Sequence, residues 1–361
     1  MNMYKSLSLQ QTADLIATIG NVQTILAQGE MGIGKSSMLK MLKAKPELKN
    51  HMFCYVDITT KDVGDFVVPK IRTIDGVEVC SFIPNEEFGI HLTKPVVMML
   101  DELGKAKGGV MNACLRLMQE RALGTYNMHP DSIVFATTNL SVEGIGDNVP
   151  PHARNRVTQV RVAKPTADEW IHYAINADVN PIVISTVKEF PEMLASFEDY
   201  EKPEQNTLIY DPRDVRSSFV TPRSLEKAGH IVTRTAILGD DVMCHALIGT
   251  VGAPAMHKIL TMVKMDQQLA SWEELIKSPT TVAVPTSAAA ACLLVAKAVQ
   301  RIEKSTMDAW MEFLPRMAKE AQGLFSRSVM SKSCPKQNVA ATNVKFAKWA
   351  TDNNYLFAKI N

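Results

Sequence analysis

The chain has no surplus of either charge: 39 Lys plus Arg stand against 38 Asp plus Glu, a formal net charge of +1. Without a basic excess there is no overall electrostatic footprint for nucleic acid or for a membrane surface, although a local patch could still exist. Cysteines are few and scattered. Cys54, Cys80, Cys114, Cys244, Cys292 and Cys334 form no CxxC pair and fall at no zinc-ligand spacing, so they read as reduced and mostly buried. Aromatics make up only 6% of the chain, and the sequence offers no obvious aromatic-basic surface of the kind that stacks on bases. The most apolar run, "SAAAACLLVAKAV", is short and broken by Lys297, which suits a buried helix better than a membrane span. The opening "MNMYKSLSLQQTADLI" lacks a basic stretch followed by an apolar core, so no signal peptide is expected. No NKxD motif is present where a guanine-reading switch would need one, and there is no internal repeat. These absences lead to the expectation of a cytoplasmic protein with no membrane association and no nucleic-acid partner.

What remains is an ordinary globular composition, 46% hydrophobic and 21% charged over 361 residues, enough for two or three domains. Residues 6–19 have the spacing of an amphipathic helix, with Leu9, Ala13, Ile16 and Ala17 on one side. "VQTILAQ" (22–28) is a short apolar strand, and "KSSMLKMLKA" then has helical spacing. "HMFCYVDI" (51–58), "PVVMMLDE" (95–102), "DSIVFATTN" (131–139) and "RVTQVRV" (156–162) read as further strands, with the helical "VMNACLRLMQERAL" between the second and third of these. From 60 to 90 the pattern is irregular, with a hairpin expected around Asp75-Gly76. Alternating strands and helices predict a parallel sheet covered on both faces. After Pro165 the strand signals fade. "TADEW" has the form of a capping box with Thr166 as N-cap. Residues 190–220 read as loop, "TPRSLEKAGHIVTRTAIL" as a helix with Pro222 at its first turn. From about 255 only helices follow, broken at "SPTTVAVPTS".

The chemistry starts at "GEMGIGKSS". Gly29-x-x-x-x-Gly34-Lys35-Ser36 fits GxxxxGK[ST], lies between a strand and a helix, and so suits a nucleotide phosphate better than a chance glycine turn. Glycines let successive N–H groups face phosphate oxygens, and the following helix offers its positive end. Residues Gly29, Glu30, Met31, Gly32, Ile33, Gly34, Lys35, Ser36 and Ser37 are therefore the candidate nucleotide-binding set, with Lys35 on the outer phosphates and Ser36 on magnesium. Asp101-Glu102 ends the strand "VVMML", at the edge where open α/β sheets place their sites. Asp101 suits the metal ion through water; Glu102 suits activation of an attacking water. Acids also end strands merely because solvent is there, and the upstream loop weighs against that reading. Asn139 ends the next strand and fits either a water-positioning residue or an Asn that opens a loop. Arg154 and Arg156 stand in the loop "VPPHARNRV" without an obvious partner, as surface arginines often do. Arg223 lies early in a helix, where the helix dipole disfavours a cation.

Together "GEMGIGKS", "VVMMLDE", "FATTN", "VPPHARNRV" and "TPRS" resemble the phosphate loop, acid pair, sensor one, arginine-finger region and sensor two of an AAA+ ATPase. "LDELGKAKGGVMNACLRLMQERALG" and "VPPHARNRV" are similar to the corresponding patterns of the MoxR-type, dynein-related branch, and "VDITTKDVGDF…FIPNEEF" occupies the place of that branch's helix-two insert. The resemblance spans residues 8 to 240. It implies an α/β fold, a P-loop AAA+ core with a parallel sheet (1–164), followed by an α-helical lid (165–275) and a C-terminal all-helical extension (276–361). It further implies ATP and Mg2+ as ligands, Asn139 as sensor one, and Arg223 as sensor two. Arg156 aligns with the finger that acts on a neighbouring subunit's ATP. Asn155 and Val157 depart from the family pattern beside it, so Arg154 stays a second candidate. A finger acting in trans implies a homo-oligomeric ring, in this family most often a hexamer. Relatives of this branch usually work with a partner carrying a von Willebrand factor A domain, remodelling or activating a protein. The insert at 60–90 and a hairpin around "GTYNMHPDS" (124–132) would face the central pore. A nucleic-acid motor or loader is the alternative reading, disfavoured by the neutral charge; a nucleotide-gated structural module is a third, disfavoured by the intact acid pair.

Overall fold

The computed structural model describes residues 6–140, 142, 149–214 and 218–357. The chain divides into two compact units, one ending at Lys164 and one starting at Pro165.

The first unit opens with α1 (Leu9–Ile19), capped by a box between Ser8 and Gln11. β1 (Ile25–Gln28), α2 (Met38–Lys43) and β2 (Met52–Asp57) follow, then a hairpin of β3 (Val67–Ile74) and β4 (Val77–Pro84). β5 (Val96–Asp101), α3 (Gly108–Glu120), a short hairpin of β6 (Ala122–Leu123) and β7 (Tyr126–Asn127), β8 (Ile133–Thr138), α4 (Pro151–Arg154) and β9 (Thr158–Arg161) complete it. Five strands form one sheet in the order β2-β5-β8-β1-β9, and every neighbouring pair is parallel. β5 and β8 are buried at every position, as apolar strands with both faces covered must be. Period-2 alternation divides their side chains. Val97, Met99, Ile133 and Phe135 pack with Ala13 and Ile16 of α1 and Met38 and Leu42 of α2. Met98, Leu100, Val134 and Ala136 pack with Val110, Met111 and Cys114 of α3.

Register is what positions the site. Asp57 pairs with Asp101, Leu100 with Ala136, and Gln28 with Thr138. The C-terminal ends of β2, β5, β8 and β1 therefore finish at one level, and the polar residues that end them share one edge of the sheet.

Three expectations differ from the structure in detail. The segment from 60 to 90 is more regular than its sequence suggests. β3 and β4 pair along their whole lengths, closed by Asp75 and Gly76 with φ of 51° and 80°, the left-handed pair that a two-residue type I′ turn demands. The next hairpin lies earlier than 124–132, because its pairing joins Ala122–Leu123 to Tyr126–Asn127; Pro130, lacking an N–H, cannot extend a ladder. Gly124 (φ 57°) sits where the two hairpins meet, and a Cβ there would lie 2.7 Å from the Phe82 carbonyl oxygen. Finally, Lys35–Ser37 form a 3-10 turn, which leaves α2 as a six-residue helix with little macrodipole.

The second unit contains α5 (Ala167–Asn176), α6 (Pro181–Glu189), α7 (Pro222–Thr233), α8 (Thr235–Leu238), α9 (Asp240–Val251), α10 (Ala253–Gln268), α11 (Trp272–Lys277), α12 (Ala288–Arg301), α13 (Met307–Phe313), α14 (Lys319–Val329), α15 (Gln337–Ala341) and α16 (Val344–Asp352). Only isolated bridges interrupt the helices among the described residues. Capping boxes start α5 at Thr166 and α7 at Thr221. α12, the alanine-rich helix, is buried on nearly every side and packs between α6 and α14. No helix among the described residues is long and apolar enough to cross a membrane.

His172 of α5 is wedged against α14. Its Nε2 accepts a hydrogen bond from Arg327 Nε at 3.5 Å, and Ser328 Oγ lies 3.4 Å from its Nδ1. Burial, then the Arg327 charge, push its pKa below the ordinary 6.5; Lys188 adds to this and Asp168 opposes it. The folded unit thus resists a proton that the unfolded chain accepts, so stability is lost as pH falls below about 6.5. All four tryptophans, Trp170, Trp272, Trp310 and Trp349, lie in this unit, so their fluorescence follows its unfolding alone. The expected result is a lower tryptophan-detected Tm at about pH 5 than at pH 7.5, with a smaller difference in His172→Gln.

Candidate active site

The loop leaving β1 is held down before it does anything else. Gly29 N–H donates to the Thr138 carbonyl at 3.3 Å. A Cβ on Gly29 would stand 2.6 Å from Ile33 Cδ1 and 2.9 Å from the Val162 carbonyl oxygen, so only glycine fits this close approach. Ile33 drops its side chain into the core beneath the loop, and Ser37 Oγ donates to the Gly34 carbonyl at 2.6 Å. Gly32 and Gly34 take φ of 70° and 100°. Met31 lies at the partly exposed crest. Glu30 turns its carboxylate to Lys164 at 3.7 Å, an ion pair almost wholly withdrawn from water.

Lys35 is only 7% exposed. A buried ammonium needs oxygen around it, and Nζ donates to the Gly29 carbonyl at 2.6 Å, the Glu30 carbonyl at 2.9 Å and Asn139 Oδ1 at 2.8 Å. Asn139 reaches it from the end of β8. The other side of that amide, Nδ2, donates to Glu102 Oε2 at 3.1 Å. A cation on one side and a carboxylate on the other fix the orientation of the amide. Glu102 has φ 58° and ψ 37°, a left-handed conformation that costs a non-glycine residue about 1–3 kcal/mol. It turns the chain sharply after β5, and the carboxylate is held by Asn139 and by Lys105 Nζ at 3.1 Å.

Asp101 ends β5 and is buried. Its Oδ2 accepts from Ser36 Oγ at 3.1 Å and from the Tyr55 hydroxyl at 2.8 Å. Its Oδ1 accepts from Thr137 Oγ1 and from the Glu102 N–H. Four donors on one carboxylate fix its plane. The Tyr55 pKa is raised, first by burial of the hydroxyl and then by the bond to Asp101 and its charge, so the phenol stays a donor at neutral pH.

The structure thus brings Lys35, Ser36, Asp101, Glu102 and Asn139 into one hydrogen-bonded cluster. Sequence reasoning missed Tyr55, Thr137, Lys105 and Lys164. Thr137 lies inside the quoted "FATTN", whereas the role of Tyr55 depends on strand pairing that its own neighbours do not reveal. Arg154 closes α4 and Arg156 follows two residues later. Both are exposed, and neither side chain has a hydrogen-bond or ion-pair partner among the described residues. Arg223 belongs to the second unit, at the exposed start of α7, just after the Thr221 cap and Pro222.

The cluster fits a nucleotide with magnesium. Three ammonium groups (Lys35, Lys105, Lys164) balance three carboxylates (Glu30, Asp101, Glu102), so the negative charge of a triphosphate calls for an accompanying dication. Among the described residues no group of three or more His, Cys, Asp or Glu could cage a metal. A hydroxyl and a carboxylate beside phosphate oxygens are instead the hard, sparse donor set that magnesium uses.

No protein-family model and no curated protein matches the chain. Solved structures do. NtrX from Brucella abortus in complex with ATP is 16% identical, over 97% of this chain and 67% of that one, with a TM-score of 0.37. Two variants of RuvB from Thermotoga maritima are 12% and 13% identical, over 76% and 83% of this chain and 79% and 86% of theirs, with TM-scores of 0.38 and 0.37.

The packing of Asp101 is open to a direct check. Thr137→Val keeps the shape of a fully buried side chain but leaves Asp101 one donor short. It is expected to lower stability by about 1–3 kcal/mol, measured by denaturant unfolding against the parent.

Proposed function

We propose that this chain is an AAA+ ATPase of the MoxR-type branch, which assembles into a homo-oligomeric ring and couples ATP hydrolysis to remodelling or activation of a partner protein. One observation carries the ATPase reading: the phosphate-loop Lys35 and Ser36 are joined by hydrogen bonds to Asn139 and Asp101, with Glu102 beside them, at one edge of a parallel sheet. In this reading the loop N–H groups and Lys35 hold the phosphates of ATP, and Ser36 and Asp101 hold Mg2+. Magnesium, when bound, draws negative charge from the phosphate oxygens. Glu102 takes the proton of the attacking water, while Asn139 orients that carboxylate and keeps Lys35 aligned with it. Lys105 shares with Asn139 the task of holding Glu102, both meeting its Oε2.

Ring formation is supported by Arg154 and Arg156, two solvent-facing guanidiniums without a partner among the described residues. Either suits a neighbouring protomer's ATP, where such a finger is worth about 10³–10⁵ in rate. Residues 165–275 serve as the lid, with Arg223 as the second sensor, and residues 276–361 as an extension. The partner protein, of a kind that carries a von Willebrand factor A domain, engages the β3–β4 hairpin, whose Ile71, Ile74 and Val77 are exposed.

Glu102→Gln is expected to retain ATP and lose turnover by roughly 10²-fold or more, measured as phosphate release beside filter-bound nucleotide; no turnover by the parent with magnesium and ATP would overturn the reading. A second experiment tests action in trans. Whichever of Arg154→Ala and Arg156→Ala is inactive on its own, mixing it with the equally inactive Glu102→Gln is expected to restore part of the turnover. Restoration follows because some interfaces then carry an intact glutamate and an intact arginine. Mixtures that stay inactive would rule out the trans finger.

A further inference from the structure

We propose that Tyr55 is a placeholder on the metal-binding carboxylate, and that its hydroxyl lowers the affinity of the site for magnesium. The inference rests on the ATPase reading above and deepens it by naming a residue outside the phosphate loop and acid pair that sets metal affinity.

Asp101 has a limited capacity for partners. A carboxylate offers about four lone-pair directions, and four protein donors use them: Ser36 Oγ, the Tyr55 hydroxyl, Thr137 Oγ1 and the Glu102 N–H. A metal ion, or a water bound to it, gains Asp101 only if one of these withdraws. They are not equally free to do so. Thr137 is completely buried, and turned away it would leave an unsatisfied hydroxyl in the core. The Glu102 N–H is fixed by the left-handed turn of its own residue. The Ser36 hydroxyl is itself the second metal donor and stays.

Tyr55 differs from all three. Its side chain stands on the edge strand β2, is 46% exposed, and reaches Asp101 only with the tip of its ring. A change of rotamer returns that hydroxyl to water, where its hydrogen bond is replaced at little cost. No other β2 side chain competes for the role. Asp57, directly opposite Asp101 in register, is engaged by its own turn, where its Oδ1 accepts from the Thr59 N–H at 2.9 Å and from Thr59 Oγ1 at 2.6 Å.

The test uses the full chain with the non-hydrolysable analogue AMP-PNP and Mn2+ as a paramagnetic stand-in for magnesium. Mn2+ binding is followed by electron paramagnetic resonance for the parent, Tyr55→Phe and Ser36→Ala, and AMP-PNP affinity is measured separately in excess EDTA. Tyr55→Phe removes only the hydroxyl and is expected to bind Mn2+ about 3- to 10-fold more tightly, the net worth of one ordinary, partly solvated hydrogen bond. Its AMP-PNP affinity in EDTA stays within about twofold of the parent. Ser36→Ala is expected to lose Mn2+ binding, which places the bound ion at this carboxylate. Equal or weaker Mn2+ binding by Tyr55→Phe, beside a parent that binds both ligands, would overturn the placeholder and leave the ATPase reading standing. A parent that takes up neither AMP-PNP nor Mn2+ would overturn both.

Discussion

An ammonium group drawn out of water must be met by oxygen, and the way Lys35 meets that demand organises everything around it. Two of its acceptors are carbonyls of its own loop, so the charge folds the loop over itself. The third belongs to Asn139, 104 residues further along the chain. Without the parallel pairing of β1 with β8, that side chain would not be in reach. The charge therefore does locally what the hydrophobic core does globally, in that it joins distant segments that share no sequence signal.

From Asn139 the order spreads to the acids. One amide links a cation to a carboxylate, with Lys35 on its oxygen and Glu102 on its nitrogen. The left-handed backbone of Glu102 is held by its two side-chain partners and by the turn that follows it. Asp101, one residue earlier, is held from four sides. Two adjacent acids thus have different freedom: Asp101 is fixed in plane, and Glu102 hangs from a pair of polar contacts at the rim. That difference leaves Glu102 the freer of the two acids, as the proposed role of moving a proton requires.

How much of this could be read in advance depended on whether a residue's role was local. The glycine spacing, Lys35 and Ser36 carry their meaning in a few consecutive letters. Asp101, Glu102 and Asn139 stand out because polar residues end long apolar strands. The parallel sheet followed from β5 and β8, whose unbroken apolar runs leave no exposed face. Tyr55 and Lys164 were illegible for the opposite reason: a tyrosine in a strand and a lysine after one are unremarkable until register and chain reversal set them beside Asp101 and Glu30. The β3–β4 hairpin looked irregular because β3 is exposed at every position after Val67, and only β4 alternates in burial, through Val79, Ser81 and Ile83. The short α2 escaped notice because a 3-10 turn and an α-helix share nearly the same apolar spacing.

The same hairpin bears on how the chain behaves beside copies of itself. A two-stranded ribbon exposed along most of its length carries two backbone edges with no further strand beside them among the described residues, and with Ile71, Ile74, Val77 and Phe82 exposed it has the makings of an amyloid nucleus. The sequence carries deterrents in the same stretch. Pro69 deletes a donor from β3, Lys70 and Arg72 set positive charge along it, and Glu78 sets negative charge on β4. The ribbon can therefore remain uncovered and greasy without zipping onto its own kind, so its stickiness is kept for unlike surfaces.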